Sequence, residues 1–148
     1  KIDDEIRNSN SLDIFKERLF TLIRSIKRTM FNIHDPIGIK YIFNLRIGLS
    51  PLKYHKYRHN FQDEHSGLCN CNQANEDSHH FLLKCIRFTI ARNDLLNQVQ
   101  PILRARDLIQ HLDKLDLYLY GLEQLSEIEN KKVIIATIKF IKQTGRFL

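Results

Sequence analysis

Along residues 11–30, SLDIFKERLFTLIRSIKRTM, apolar side chains return every three or four positions at Leu12, Phe15, Leu19, Leu22, Ile23 and Ile26. That spacing draws one apolar stripe down a helix, so the segment is predicted as an amphipathic helix with Ser11 as its N-cap. Lys16, Arg18, Lys27 and Arg28 occupy the other face. A second start signal follows, with Asp35 as N-cap and Pro36 at the first helical position, and Gly48 supplies the stop. Ile39, Ile42, Phe43 and Ile47 are the expected buried stripe. Ser50 and Pro51 repeat the signal and predict a short third helix through PLKYHKYRHNF.

From Gln62 to Ser78 the chain turns polar, rich in Asn, Asp and Ser, which predicts a loop held by something other than a core. Beyond it, HFLLKC and TIARNDLLNQVQPILRARDLIQHL have helical spacing, with Pro101 expected to break or kink the run. LDLYLYGL fits a short strand and a helix equally. SEIENKKVIIATIKFIKQTGRF opens on a capping box, Ser126 and Glu129, and predicts a strong helix with Ile134, Ile135, Ile138 and Ile141 inward and Lys131, Lys132, Lys139 and Lys142 on its remaining surface. There is no internal repeat. The expected fold class is mainly α, a small helical bundle with an inserted zinc-binding loop. Residues 1–62 form N-terminal helices with a basic face, 63–85 the loop, and 86–148 C-terminal helices that pack with the first segment as one domain. A chain of 148 residues with 43% hydrophobic content can fill such a core.

Charge sharpens this picture when divided along the chain. Residues 16–58 carry ten Lys or Arg against Glu17 and Asp35; residues 63–130 carry six basic groups against eleven acidic; residues 131–148 carry five basic and none acidic. Two positive segments flanking an acidic middle suit contact with a polyanion. No run of eighteen apolar residues exists, and KIDDEIRNSN has neither an initiator Met nor the layout of a signal peptide. No membrane partner is therefore expected, and the missing Met suggests the end of a longer polypeptide. Three cysteines without a secretion signal point to a reducing nuclear or cytosolic setting, where clustered cysteines more often bind metal than pair.

All three lie in CNCNQANEDSHHFLLKC, residues 69–85. Cys69, Cys71, one of His79 or His80, and Cys85 make a thiolate-rich set of four, as structural zinc sites use, and soft thiolates with an imidazole favour Zn²⁺ over Mg²⁺ or Ca²⁺. Asn70 and Asn72 tolerate the left-handed turn that two cysteines so close together need to face one ion. The H-x4-C spacing favours His80 over His79. The competing reading is that three small cysteines merely pack while the histidines cap a helix; the metal has the advantage of also explaining the polar loop. Four protein ligands leave no place for water, which makes the site structural and not catalytic.

Just before it, LRIGLSPLKYHKYRHNF interleaves Arg46, Lys53, Lys56 and Arg58 with Tyr54, Tyr57 and Phe61, and adds His55 and His59. Cations can neutralise phosphates while aromatic faces stack on unpaired bases. The bland alternative is a solvated helix face with half-buried tyrosines.

Together these two stretches resemble the region downstream of the polymerase domain in jockey-type non-LTR retrotransposon reverse transcriptases. The likeness rests on LR-x-G-x-S-x-L at Leu45, Arg46, Gly48, Ser50 and Leu52. It continues in the cysteine motif at Cys69, Cys71, Glu76, His80, Phe81, Leu82, Leu83 and Cys85, with Arg92 at the place of a following Arg. The tail IIATIKFIKQTGRF also resembles the end of such elements, so the likeness covers about residues 35–148. Asn72 and Ile86 depart from the family, which usually has Gly and Pro there. The resemblance implies that His80 is the ligand. It further implies a non-catalytic, zinc-stabilised domain that holds template RNA or target DNA, single-stranded or as an RNA/DNA hybrid, beside the polymerase domain of the same polypeptide. Expected nucleic-acid contacts are Arg46, Lys53, Tyr54, Lys56, Tyr57, Arg58 and His59. The competing class is a structural module that docks on the polymerase portion. No F/Y-x-D-D motif is present, so no polymerase centre is expected, and Asp107, Asp113 and Asp116 with Lys114 read as solvated charges rather than a nuclease centre.

Overall fold

A computed structural model describes Ile14, residues 33–59 and residues 65–148. The protein is mainly helical there, with no strand among the described residues beyond an isolated antiparallel bridge between Leu68 and Asn75. Of the predicted first helix, only Ile14 is described, and it is helical and exposed; the rest of that expectation lies outside the described residues, as does Phe61.

Helix α1, Pro36–Ile47, starts where Asp35 accepts from the Gly38 N–H at 3.0 Å and stops at Gly48, whose left-handed φ of 73° suits a residue without Cβ. Its buried face differs from the expected stripe. Gly38, Ile42 and Leu45 turn inward, Ile39 is half-buried, and Phe43 and Ile47 are exposed. The reason is Gly38: a Cβ there would lie 2.4 Å from Ile138 Cγ2, so this glycine admits the neighbouring helix and sets which side faces the core.

Helix α2, Lys53–Arg58, begins two residues later than the Ser50–Pro51 signal predicts, with Leu52 at its N-cap. The Ser50 hydroxyl is engaged elsewhere, accepting from the Leu52 N–H and pairing at 2.6 Å with Nδ1 of the buried His55. Helix α3, Thr89–Ala105, runs through Pro101 without a break. Both Pro101 and Asn97, whose carbonyl loses its donor to the proline, are accessible to water, which can satisfy that oxygen. LDLYLY resolves as helix α4, Leu115–Tyr120, with Leu117, Tyr118 and Leu119 buried. Helix α5, Glu127–Thr144, has the predicted capping box; Ile134, Ile138 and Ile141 are buried as expected, while Ile135 points outward.

α5 packs against α3, α4 and α1 and forms the centre of the bundle. Leu95, Val99 and Leu103 from α3 meet Val133, Ile134, Phe140 and Ile141 from α5 in one apolar cluster, which continues into Ile42, Leu52, Phe81 and Leu82. The loop that carries the cysteines is therefore attached to the main core through its own C-terminal end.

The capping box also fixes a titration. Glu129 accepts from the Ser126 backbone N–H and then from Arg106, which hold its carboxyl down to about 2. A carboxylate lowered on folding adds stability that is present above its ordinary range near 4.5 and is lost as pH falls through the folded value. An NMR titration of the Glu129 side chain should accordingly show no midpoint between pH 4 and 5; a midpoint there would mean that the box and the Arg106 bond do not form.

Candidate metal centre

The loop folds by backbone hydrogen bonds that converge on the cysteines. Cys69 N–H donates to the Ala74 carbonyl at 2.8 Å and Glu76 N–H to Gly67 at 2.8 Å, closing a short ribbon. Within it Asn72 takes a left-handed φ of 63° and donates to the Cys69 carbonyl, the turn that brings Cys71 back beside Cys69. Asp77 then caps the next segment, its carboxylate accepting from the His80 N–H at 2.8 Å.

His80–Lys84 is a π-helical turn rather than an α-helical one. Positions five apart on an α-helix diverge by about 140°. The wider turn, closed by Cys85 N–H to the His80 carbonyl at 2.7 Å, reduces that divergence and keeps His80 and Cys85 on one side. Cys69 Sγ lies 3.7 Å from Cys85 Sγ, and Cys71 Sγ lies 3.2 Å from His80 Nε2. One ligand atom from each of the four falls within 4.8 Å of every other, close enough to hold a metal ion. Cys69, His80 and Cys85 are buried, Cys71 is half-buried, and His79 is exposed outside the set. Burial raises the Cys69 thiol to about 11, so an ion entering here displaces a proton from it.

No protein-family model, curated protein or solved structure matches the chain.

Around the four ligands stands a charged layer to which the sequence alone assigned no role. Glu76 is 1% exposed and accepts from Arg87 at 2.6 Å, from Arg146 at 2.6 and 3.0 Å, and from the Lys53 backbone N–H at 2.8 Å. Burial opposes its ionisation, but the bonds from Arg146, the Lys53 N–H and Arg87 prevail and lower its pKa. The Glu76 carbonyl also accepts from the Tyr54 N–H, so this one residue satisfies two of the free donors at the start of α2. Arg87 reaches past Glu76 to the sulfurs, Nη2 at 3.0 Å from Cys69 and Nε at 3.4 Å from Cys85. Arg92, 9% exposed, donates to the carbonyls of Phe81, Leu82 and Cys85 and so holds the C-terminal end of the π turn. Glu76 and Arg92 stand at the acidic position of the cysteine motif and at its following Arg, but Asp77, Lys84 and Arg87 lie beside them, so no local signal in the sequence singles out their roles.

The basic residues named from sequence fall into two places. Tyr57 and Arg58 on α2 and His59 at its C-terminal cap are exposed, with Lys53, Tyr54 and Lys56 half-buried beside them and the Arg58 guanidinium 5.9 Å from the Tyr54 ring centre. Arg46 stands apart: Nε donates to the Leu119 carbonyl at 2.6 Å and the guanidinium lies 4.6 Å over Tyr120, tying α1 to α4. Burial lowers its pKa to about 10.

Proposed function

We propose that this chain is a zinc-stabilised, non-catalytic module that holds nucleic acid, of the kind that follows the polymerase domain in jockey-type non-LTR retrotransposon reverse transcriptases. Zn²⁺ suits the donor set, three thiolates and an imidazole. With Zn–S bonds near 2.3 Å, two sulfurs at corners of a tetrahedron sit about 3.8 Å apart, and the Cys69–Cys85 separation of 3.7 Å fits that edge. The ion would supply folding energy to a polar loop, with all four positions taken by protein and none left for substrate.

The observation that carries the nucleic-acid reading is the attachment of α2 to the metal loop. Lys53 and Tyr54 donate their backbone N–H groups to Glu76, so the loop orients a helix whose outer side offers Tyr57, Arg58 and His59. Arg58, exposed beside the exposed Tyr57 ring and flanked by the half-buried Lys53 and Lys56, matches what unpaired, phosphate-bearing strands require. Arg46, committed to Leu119 and Tyr120, serves the scaffold in this reading, and the phosphate contacts fall to Lys53, Lys56, Arg58 and His59.

The second reading, a module that docks on the polymerase portion, draws on a groove of about 690 Å³ between Ile33–Asp35 and α5, floored by Ile135 and Ile138 and edged by Lys131, Lys139 and Lys142. One experiment separates the two. The chain is titrated with single-stranded RNA and DNA over a salt series, alongside a variant with Lys53, Lys56 and Arg58 all changed to Glu. For four to six phosphates the slope of log affinity against log salt should be about −3 to −4. The variant should lose binding while keeping its helical circular dichroism. Undetectable or salt-independent binding by the unaltered chain would contradict the nucleic-acid reading. Among the described residues no helix is long and apolar enough to cross a membrane.

A further inference from the structure

The charged layer around the ligands joins two places far apart in sequence. Arg87 lies two residues beyond the last ligand, Cys85; Arg146 lies just past the end of α5. Both converge on Glu76, which sits inside the cysteine loop. Arg146 also donates to the Pro51 carbonyl at 3.0 Å, next to α2. Its neighbour Phe147 stacks on Phe81 at 5.5 Å between ring centres.

We infer that Glu76, Arg87 and Arg146 form a charge clamp that couples occupancy of the metal centre to docking of the chain's C-terminal end. The charges explain why. A divalent ion bound by three thiolates and a neutral imidazole carries one net negative charge. Arg87, donating to two of those sulfurs, cancels it; Arg146 cancels Glu76. With the ion in place the charges around the buried Glu76 sum to zero. Without the ion nothing fixes the two sulfurs to which Arg87 donates, and the run of bonds from sulfur through Arg87 and Glu76 to Arg146 loses its anchor. Metal binding thereby strengthens the hold of Glu76 on Arg146, and by linkage Arg146 strengthens metal binding by the same factor. An ordinary buried ion pair would tie α5 to the loop equally with or without the ion; what makes this one metal-dependent is the pair of Arg87–sulfur bonds.

The inference rests on the zinc reading, and its test keeps the two apart. Zinc affinity of the full chain is measured by chelator competition for the unaltered protein, Arg87→Met, Arg87→Lys and Arg146→Met, with circular dichroism to confirm retained helix. Removing a group that holds metal ligands in place typically costs roughly 10–100-fold in affinity, and that loss is expected for Arg87→Met and, despite its distance in sequence, for Arg146→Met. Arg87→Lys should recover part of it. In cobalt-loaded protein the thiolate-to-metal absorption should shift for Arg87→Met, which strips hydrogen bonds from sulfur, and stay in place for Arg146→Met, which does not. Hydrogen exchange on the unaltered chain supplies the reciprocal reading without any variant: stripping the metal should speed exchange over residues 141–148. An unaltered chain that binds no zinc sinks the zinc reading itself. If zinc binds but its affinity in Arg146→Met stays within about twofold, or exchange at 141–148 ignores the metal, the clamp is wrong and the zinc reading stands.

Discussion

Replacing Cys85 with Ser is expected to unfold the loop of residues 65–85 while leaving much of the helical bundle in place. Structural zinc in small peptides contributes about 10–16 kcal/mol of apparent binding energy at pH 7, nearly all of it folding energy. Apart from the Glu76 bonds and the Phe81–Leu82 end that enters the core, the loop has little else: its backbone makes a short ribbon around Cys69 and Ala74, and residues 70 and 72–75 are exposed. Losing one donor of four forfeits a large share of that energy. α3 and α5, by contrast, meet through Leu95, Val99, Leu103, Val133 and Ile134, all outside the loop. Hydrogen exchange by mass spectrometry should show fast exchange over residues 65–85 in Cys85→Ser and slow exchange in α3 and in α5 as far as residue 140. A variant that keeps its zinc and its protection pattern would remove Cys85 from the ligand set.

Phe81→Ala is expected to destabilise the whole bundle by about 3–5 kcal/mol, the usual cost of emptying a buried phenylalanine site. Phe81 is fully buried, with ring centres 5.4 Å from Phe88, 5.4 Å from Phe140 and 5.5 Å from Phe147. It thus joins the metal turn, α5 and the C-terminal segment at one point. Natural domains hold only about 5–15 kcal/mol in total, so the loss is a large fraction of what is available. Urea denaturation should give a lower midpoint with an unchanged slope. Because Phe81 directly follows His80 of the candidate metal cluster, zinc affinity should fall as well. A loss below about 1 kcal/mol would mean that the aromatic cluster does not carry the junction.

The parts of the molecule written in local signals are legible in the sequence. Asp35–Pro36 and Ser126 with Glu129 each supply hydrogen-bonding partners within three residues, so the helix starts they predict are the ones formed. The candidate metal cluster is legible for the same reason: four donor groups crowded into one short segment come close enough together to hold a metal ion. Where partners come from far along the chain, local signals mislead. The donors at the start of α2 are met by Glu76 rather than by Ser50. The inner face of α1 is decided by the approach of Ile138 to Gly38. Arg146, at the opposite end of the chain, meets the loop only where α5 packs against the rest of the bundle. Arg46 looks like its basic neighbours, yet what sets its role is α4, whose state the alternating LDLYLY leaves open.

The central claim, a metal that organises the loop and through it the exposed basic helix, meets its most direct test in native mass spectrometry of the chain prepared with zinc supplied. The expected result is one zinc ion per chain, lost when Cys69, Cys71, His80 and Cys85 are all changed to Ala. A chain that stays zinc-free, or the same zinc content in the fourfold variant, would contradict it.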